Sequence, residues 1–99
     1  MNGMKPSEAL PRHRETIRQL VFEAGMSNPR VFGSVLRGED QEGSDLDILI
    51  DPAPRTSLLD LAGLQIEIEA QTGVKVDLLT PECLPAKFRQ KVLFEASSL

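Results

Sequence analysis

Two aspartates set two positions apart in an apolar run are the residues of this chain most suited to chemistry. They belong to VFGSVLRGEDQEGSDLDILID, residues 31–51, in which Asp45 to Asp51 alternates as a strand does. Leu46, Ile48 and Ile50 then share one face, while Asp45, Asp47 and Leu49 share the other. Residues so spaced on a strand are separated by about 6.5–7 Å, so both carboxylates leave the sheet on the same side. Two neighbouring anions repel, which raises the pKa of one of them; a divalent cation with a preference for oxygen removes that penalty. Asp77 has a similar position in a second strand, Val74–Leu79, where Lys75, Asp77 and Leu79 oppose Val74, Val76 and Leu78. If the two strands are neighbours, Asp45, Asp47 and Asp77 converge as the ligand set of a two-ion magnesium site for in-line phosphoryl or nucleotidyl displacement.

An isolated D-x-D is weak, because aspartates at strand ends are commonly plain surface acids. Its weight comes from Gly33-Ser34, which directly follows a strand-like run, and from Val35-Leu36-Arg37-Gly38 after it. Glycine lets backbone approach a phosphate, the Ser34 hydroxyl and the turn amides can donate to it, and Arg37 adds positive charge. A plain strand-to-helix turn would have the same composition. The G-x-x-x-x-G-K-[ST] pattern is absent, so a triphosphate would be held mainly through its metal.

These residues need a scaffold, and the periodicities supply one. Ile17, Leu20, Val21 and Ala24 recur at helical spacing, so a helix is expected from about Ser7 to Ala24, ending at Gly25. Pro11 is tolerated only near its first turn, and His13 falls on a charged, solvated face with Arg12, Arg14 and Glu15. Arg30 to Ser34 reads as a short strand ending at a glycine, followed by the acidic connection Gly38 to Gly43. Pro52 and Pro54 stop the Asp45–Asp51 strand. Ser57, with Asp60 three residues on, caps a helix that runs to Gly73 with Leu58, Leu61, Leu64 and Ile68 on its apolar face. The third strand follows, and Leu84 to Ala96 reads as a closing helix. The expected fold is α/β (α+β): a small mixed sheet of three to four strands with helices packed against it, forming a single domain over residues 1–99.

Composition sets limits on function. Ninety-nine residues, 40% of them hydrophobic and 26% charged, predict one globular core. That core is aliphatic, since there is no Trp or Tyr and only four Phe. A formal charge of -4 has the wrong sign for autonomous nucleic-acid binding. No apolar stretch approaches the roughly 20 residues that span a bilayer. The N-terminus lacks an apolar secretory segment and Cys83 is the sole cysteine, so the expectation is a cytoplasmic protein without disulfides, with Cys83 a small structural residue.

Taken together, Gly33-Ser34, Gly38, Ser44-Asp45-Leu46-Asp47 and the later Asp77 resemble the nucleotidyltransferase superfamily of DNA polymerase beta. The resemblance extends over nearly the whole chain and is closest to the minimal nucleotidyltransferases (MNT), which are paired with HEPN proteins. It implies that Gly33 and Ser34 contact the triphosphate of ATP, that Asp45 and Asp47 hold two Mg2+ ions, and that Asp77 completes the ion activating the attacking hydroxyl. Ser44 would orient Asp45 or cap the loop. Leu36 departs from the pattern, since many relatives carry a smaller residue such as Ala there. The resemblance further implies an antitoxin that transfers AMP to a tyrosine of a HEPN ribonuclease toxin. Two other functions remain open on the residues alone: a non-catalytic antitoxin that masks its HEPN partner, and nucleotidyl transfer to a small-molecule acceptor. So short a chain is expected to lack an acceptor-binding part of its own, which favours a protein partner.

Overall fold

The computed structural model describes residues 5–99. Helix α1 spans Pro6–Glu23. Proline suits this first position because its missing amide would have no helical partner there. The Glu8 carboxylate accepts the Lys5 amide at 2.9 Å, and the Asp40 carboxylate, from the distant acidic connection, accepts the Ser7 amide at 2.8 Å. These caps start the helix one residue earlier than its periodicity suggests, and Pro11 lies inside it, on the exposed side. His13 is half-buried and not on a fully solvated face.

Strand β1, Ser27–Phe32, begins and ends earlier than the expected Arg30–Ser34. Gly33 is the reason for its end: φ 76° and ψ -150° turn the chain out of the sheet and into a four-residue helix α2, Ser34–Arg37. Strand β2 is Leu46–Asp51. Helix α3, Leu58–Thr72, has the anticipated reciprocal cap, in which Ser57 Oγ accepts the Asp60 amide at 3.1 Å and the Asp60 carboxylate accepts the Ser57 amide at 2.9 Å. Strand β3 is Val76–Leu79, a 3-10 turn covers Pro81–Cys83, helix α4 is Ala86–Glu95, and a short strand β4, Ser97–Ser98, follows.

The four strands form one mixed sheet in the order β3-β2-β1-β4. β1 runs antiparallel to β2 and β4, whereas β2 and β3 are parallel, joined through α3. Ile17 and Val21 of α1 and Leu64 and Ile68 of α3 pack with Val31, Leu46, Ile48, Ile50, Val76 and Leu78 into an aliphatic core. The other face of the sheet carries the aspartates, and there the 3-10 turn packs on β2 and Leu49 is fully buried. Helix α4 departs from the expectation that every helix buries an apolar face on the sheet. None of its residues is buried, and Arg89 instead fastens it by donating to the Pro81 and Leu84 carbonyls at 2.8 and 3.0 Å. Among the described residues, no helix is long and apolar enough to cross a membrane.

Candidate active site

The register of the parallel pair decides the site. Asp47 faces Asp77 across β2 and β3, with Leu46 opposite Val76 and Ile48 opposite Leu78. Adjacent strands lie about 4.8 Å apart, so the two carboxylates emerge side by side on the face away from α1 and α3. β3 is an edge strand, and its outward amides are not left open: Glu69 of α3 accepts from the Val76 amide at 2.8 Å and Gln65 from the Leu78 amide at 3.2 Å. These two side chains fix the strand that carries Asp77 and protect its edge. Neither Glu69 nor Gln65 stands out in the sequence, since an acceptor on a helix gives no local signal of the strand amide it meets.

Asp45 is not on the strand as expected. β2 starts at Leu46, whose amide donates to the Lys75 carbonyl at 2.8 Å, and Asp45 is the exposed last residue of the preceding loop. Ser44 closes that loop: its Oγ accepts the Gln41 amide at 2.9 Å and its own amide donates to the Gln41 carbonyl at 3.0 Å. Asp40 anchors the same segment to α1 through the Ser7 amide. The loop bearing Asp45 is thus held at both ends.

Asp47 is half-buried, whereas Asp45 and Asp77 are exposed. Burial, then the charges of Asp77 and Asp45, push the Asp47 carboxyl up to about 6, and Arg37 opposes the rise. The electrostatic coupling shows that all three acids and Arg37 belong to one neighbourhood. Among the described residues no group of three or more His, Cys, Asp or Glu side chains forms a ready-made metal cluster. The donor set, oxygen-only and electrostatically uncomfortable, suits a hard divalent cation.

Gly33 has a more specific role than flexibility. Its φ and ψ fall in a region nearly restricted to glycine, and a Cβ built on it would collide with the Asp47 carboxylate. The glycine turn and the acid are therefore in contact, and Ser34, the first residue of α2, follows directly after that turn. Arg37 ends α2 with its Nε 3.0 Å from a Glu39 carboxylate oxygen, so its guanidinium is already engaged although its charge reaches Asp47. Cys83 is exposed and free, with its Sγ 3.3 Å from Thr80 Oγ1, outside this constellation.

A glycine turn packed on one member of a facing acid pair, at the edge of a small mixed sheet, defines a scaffold for nucleotidyl transfer. The chain belongs to the nucleotidyltransferase domain family, whose profile matches residues 13–99. It is a nucleotidyltransferase of the MNT type, as the motif resemblance implied. Protein adenylyltransferase MntA of Thermococcus cleftensis is 37% identical over 86 residues, covering 87% of this chain and 84% of its own length. A solved structure described as a proposed minimal nucleotidyltransferase is 41% identical with a TM-score of 0.83, covering 94% of this chain and 95% of that one. A structure of tri-AMPylated Shewanella oneidensis HEPN toxin in complex with MNT antitoxin shares the fold at a TM-score of 0.68 and 17% identity, covering 89% of this chain and 69% of that one.

Proposed function

We propose that this protein is an antitoxin that transfers AMP from ATP to a tyrosine hydroxyl of a HEPN partner protein. The observation that carries the proposal is the facing pair Asp47 and Asp77, with Asp45 in the same electrostatic neighbourhood and the Gly33-Ser34 turn in contact with Asp47. The 37% identity to a named protein adenylyltransferase supports adenylyl transfer to protein. The fold shared with an MNT antitoxin bound to an AMPylated HEPN toxin supports the partner.

In this proposal the Gly33-Ser34 turn receives the triphosphate, with Arg37 contributing charge at its edge and Ser44 holding the loop of Asp45. Asp45 and Asp47 would hold two Mg2+ ions, and Asp77 would complete the one at the acceptor hydroxyl. Bound there, Mg2+ supplies a lowered pKa for the attacking hydroxyl and charge stabilisation for the leaving group. The acceptor hydroxyl gives up its proton to solvent as its oxygen forms a bond to the α-phosphorus of ATP, the bond from that phosphorus to the bridging oxygen breaks, and pyrophosphate leaves. Asp47 must be ionised for this role, and its carboxyl, pushed up to about 6, is mostly ionised at neutral pH. The setting proposed for the reaction is the cytoplasm, without nucleic acid or membrane as a partner.

The test uses the full chain, Mg2+, the HEPN protein encoded beside it and ATP labelled at either the α- or the γ-phosphate. The partner should take up α-label and no γ-label, at a tyrosine located by peptide mass spectrometry, and Asp47→Asn should abolish uptake. A bound partner that takes up no label and is inhibited equally well by Asp47→Asn would show that the protein acts by masking.

A further inference from the structure

Among the described residues, six of the seven large apolar side chains left exposed lie on only two helices: Leu58, Leu59 and Ile66 on α3, and Phe88, Leu93 and Phe94 on α4. The two helices differ in charge. α3 contains Asp60, Glu67 and Glu69 and no basic residue, whereas α4 contains Lys87, Arg89 and Lys91 against the single acid Glu95. On α3 the acids Asp60 and Glu67, joined by Glu23 of α1, line a groove of about 420 Å³ together with Leu59, Gly63 and Met26. Gly63 interrupts the helix interior, yet nothing in its own chain lies within 4 Å of the position a Cβ would take. Packing within the chain therefore gives no reason for this glycine, which weakens the helix but opens the floor of the groove.

On α4 the helical spacing of Lys87, Lys91 and Phe94 puts an aromatic ring and two ammonium groups on one outward face, with Phe88 beside them. Phe94 is 91% exposed and Leu59 is 82% exposed. α4 makes no extensive contact with α3 of its own chain. It is tied at its start by Arg89 to the Pro81 and Leu84 carbonyls and at its end by β4 to β1, so it cannot fold over onto that helix.

We propose that the acidic groove between α1 and α3 receives α4 of a second copy of this chain, with Phe94 entering the apolar floor and Lys87 and Lys91 meeting Asp60, Glu67 and Glu23. Charge complementarity selects this occupant. A symmetric contact of two α3 helices would set acids against acids, whereas α4 brings an apolar centre flanked by cations. The contact is head-to-tail, so each copy offers one groove and one helix, and association proceeds to a ring or a short chain. This inference is independent of the transfer reaction.

Sedimentation velocity on the full chain over a wide concentration range, at low and high salt, provides the test, with two variants. Leu59→Asp, exposed in the first turn of α3 where an acid is compatible with the helix, removes the groove and leaves α4. Phe94→Asp, also exposed, removes the helix anchor and leaves the groove. Wild type should self-associate, at least tenfold more weakly in high salt; each variant alone should be monomeric with an unchanged circular dichroism spectrum; and a mixture of the two should form a one-to-one dimer. A wild type that stays monomeric at the highest concentration overturns the proposal. So does Phe94→Asp that still dimerises, which would indicate a symmetric α3 contact, and so does a mixture that fails to pair.

Discussion

Asp47 titrates in an unusual range for a carboxylate, about 6, because it is half-buried and faces two like charges. An aspartate in an unfolded chain titrates near 3.9. The folded state thus holds its proton more tightly. Its contribution to stability is complete below about pH 4 and is lost as pH rises through about 6. In metal-free protein Asp47→Asn should therefore be more stable than wild type at pH 8, by about 2 kcal/mol after allowance for partial exposure, and the gap should close by pH 4. Urea unfolding at both pH values measures it. Gly33→Ala should cost about 3 kcal/mol from its backbone conformation and the collision with Asp47. The loss should shrink in the Asp47→Ala background, since the collision partner is gone, and a double-mutant cycle reads that coupling. The placement of Asp47 and Asp77 on strands and of Gly33 at a turn was legible because residue type and strand alternation carry that signal, whereas Asp45, read as part of the strand, lies just before it. Asp40, Gln65 and Glu69 were not legible, because each acts on a backbone amide 33, 13 or 7 positions away.

At the scale of elements, the long periodic ones were legible: α1, β2, α3 and the Ser57 cap all emerge from hydrophobic spacing and turn chemistry. α2 was not, since four residues make a single turn with no period, and the two residues of β4 are defined only by pairing with β1. α1 depends on an element that sequence separates from it. Burial would raise the Asp40 carboxyl, but hydrogen bonds from the Ser7 amide and hydroxyl and from its own amide, with the Lys5 charge, more than offset it and hold the pKa below its ordinary value. That stabilisation is present above the unfolded pKa and fades as pH falls through the folded one. Asp40→Ala should destabilise the protein by about 1–2 kcal/mol at pH 7, with the deficit narrowing on acidification, as followed by thermal melts. At the far edge of the sheet, Leu99 is buried and its amide donates to the Pro29 carbonyl at 3.0 Å. Leu99→Ala should cost about 2–4 kcal/mol and loosen β4, seen as faster amide exchange at Val31.

Across the whole molecule, a formal charge of -4 includes three carboxylates of one neighbourhood that disfavour the folded state as they ionise together. Divalent cation should thus raise the melting temperature of the native chain alone. With binding only to the folded form, 100-fold excess over the dissociation constant gives about 2.7 kcal/mol, and Asp45→Asn/Asp47→Asn should lose most of the shift. Differential scanning calorimetry with and without Mg2+ checks this at pH 8. The aliphatic core and the mixed sheet were legible at this scale because apolar residues alternate with the site residues along the same strands. The looseness of α4 was not, because its apolar residues look alike whether they meet the chain's own sheet or nothing.

The parallel register of β2 and β3 has one further consequence. The rung that sets Asp47 against Asp77 is followed by the rung that sets Ile48 against Leu78 in the core. Slipping β3 by one residue would turn Val76 and Leu78 toward water and Asp77 into the aliphatic layer. Assembly of the acid pair is thereby proofread by burial. The burial that stabilises the sheet thus disfavours the slipped register, which would leave Asp77 in an apolar layer and two core residues exposed.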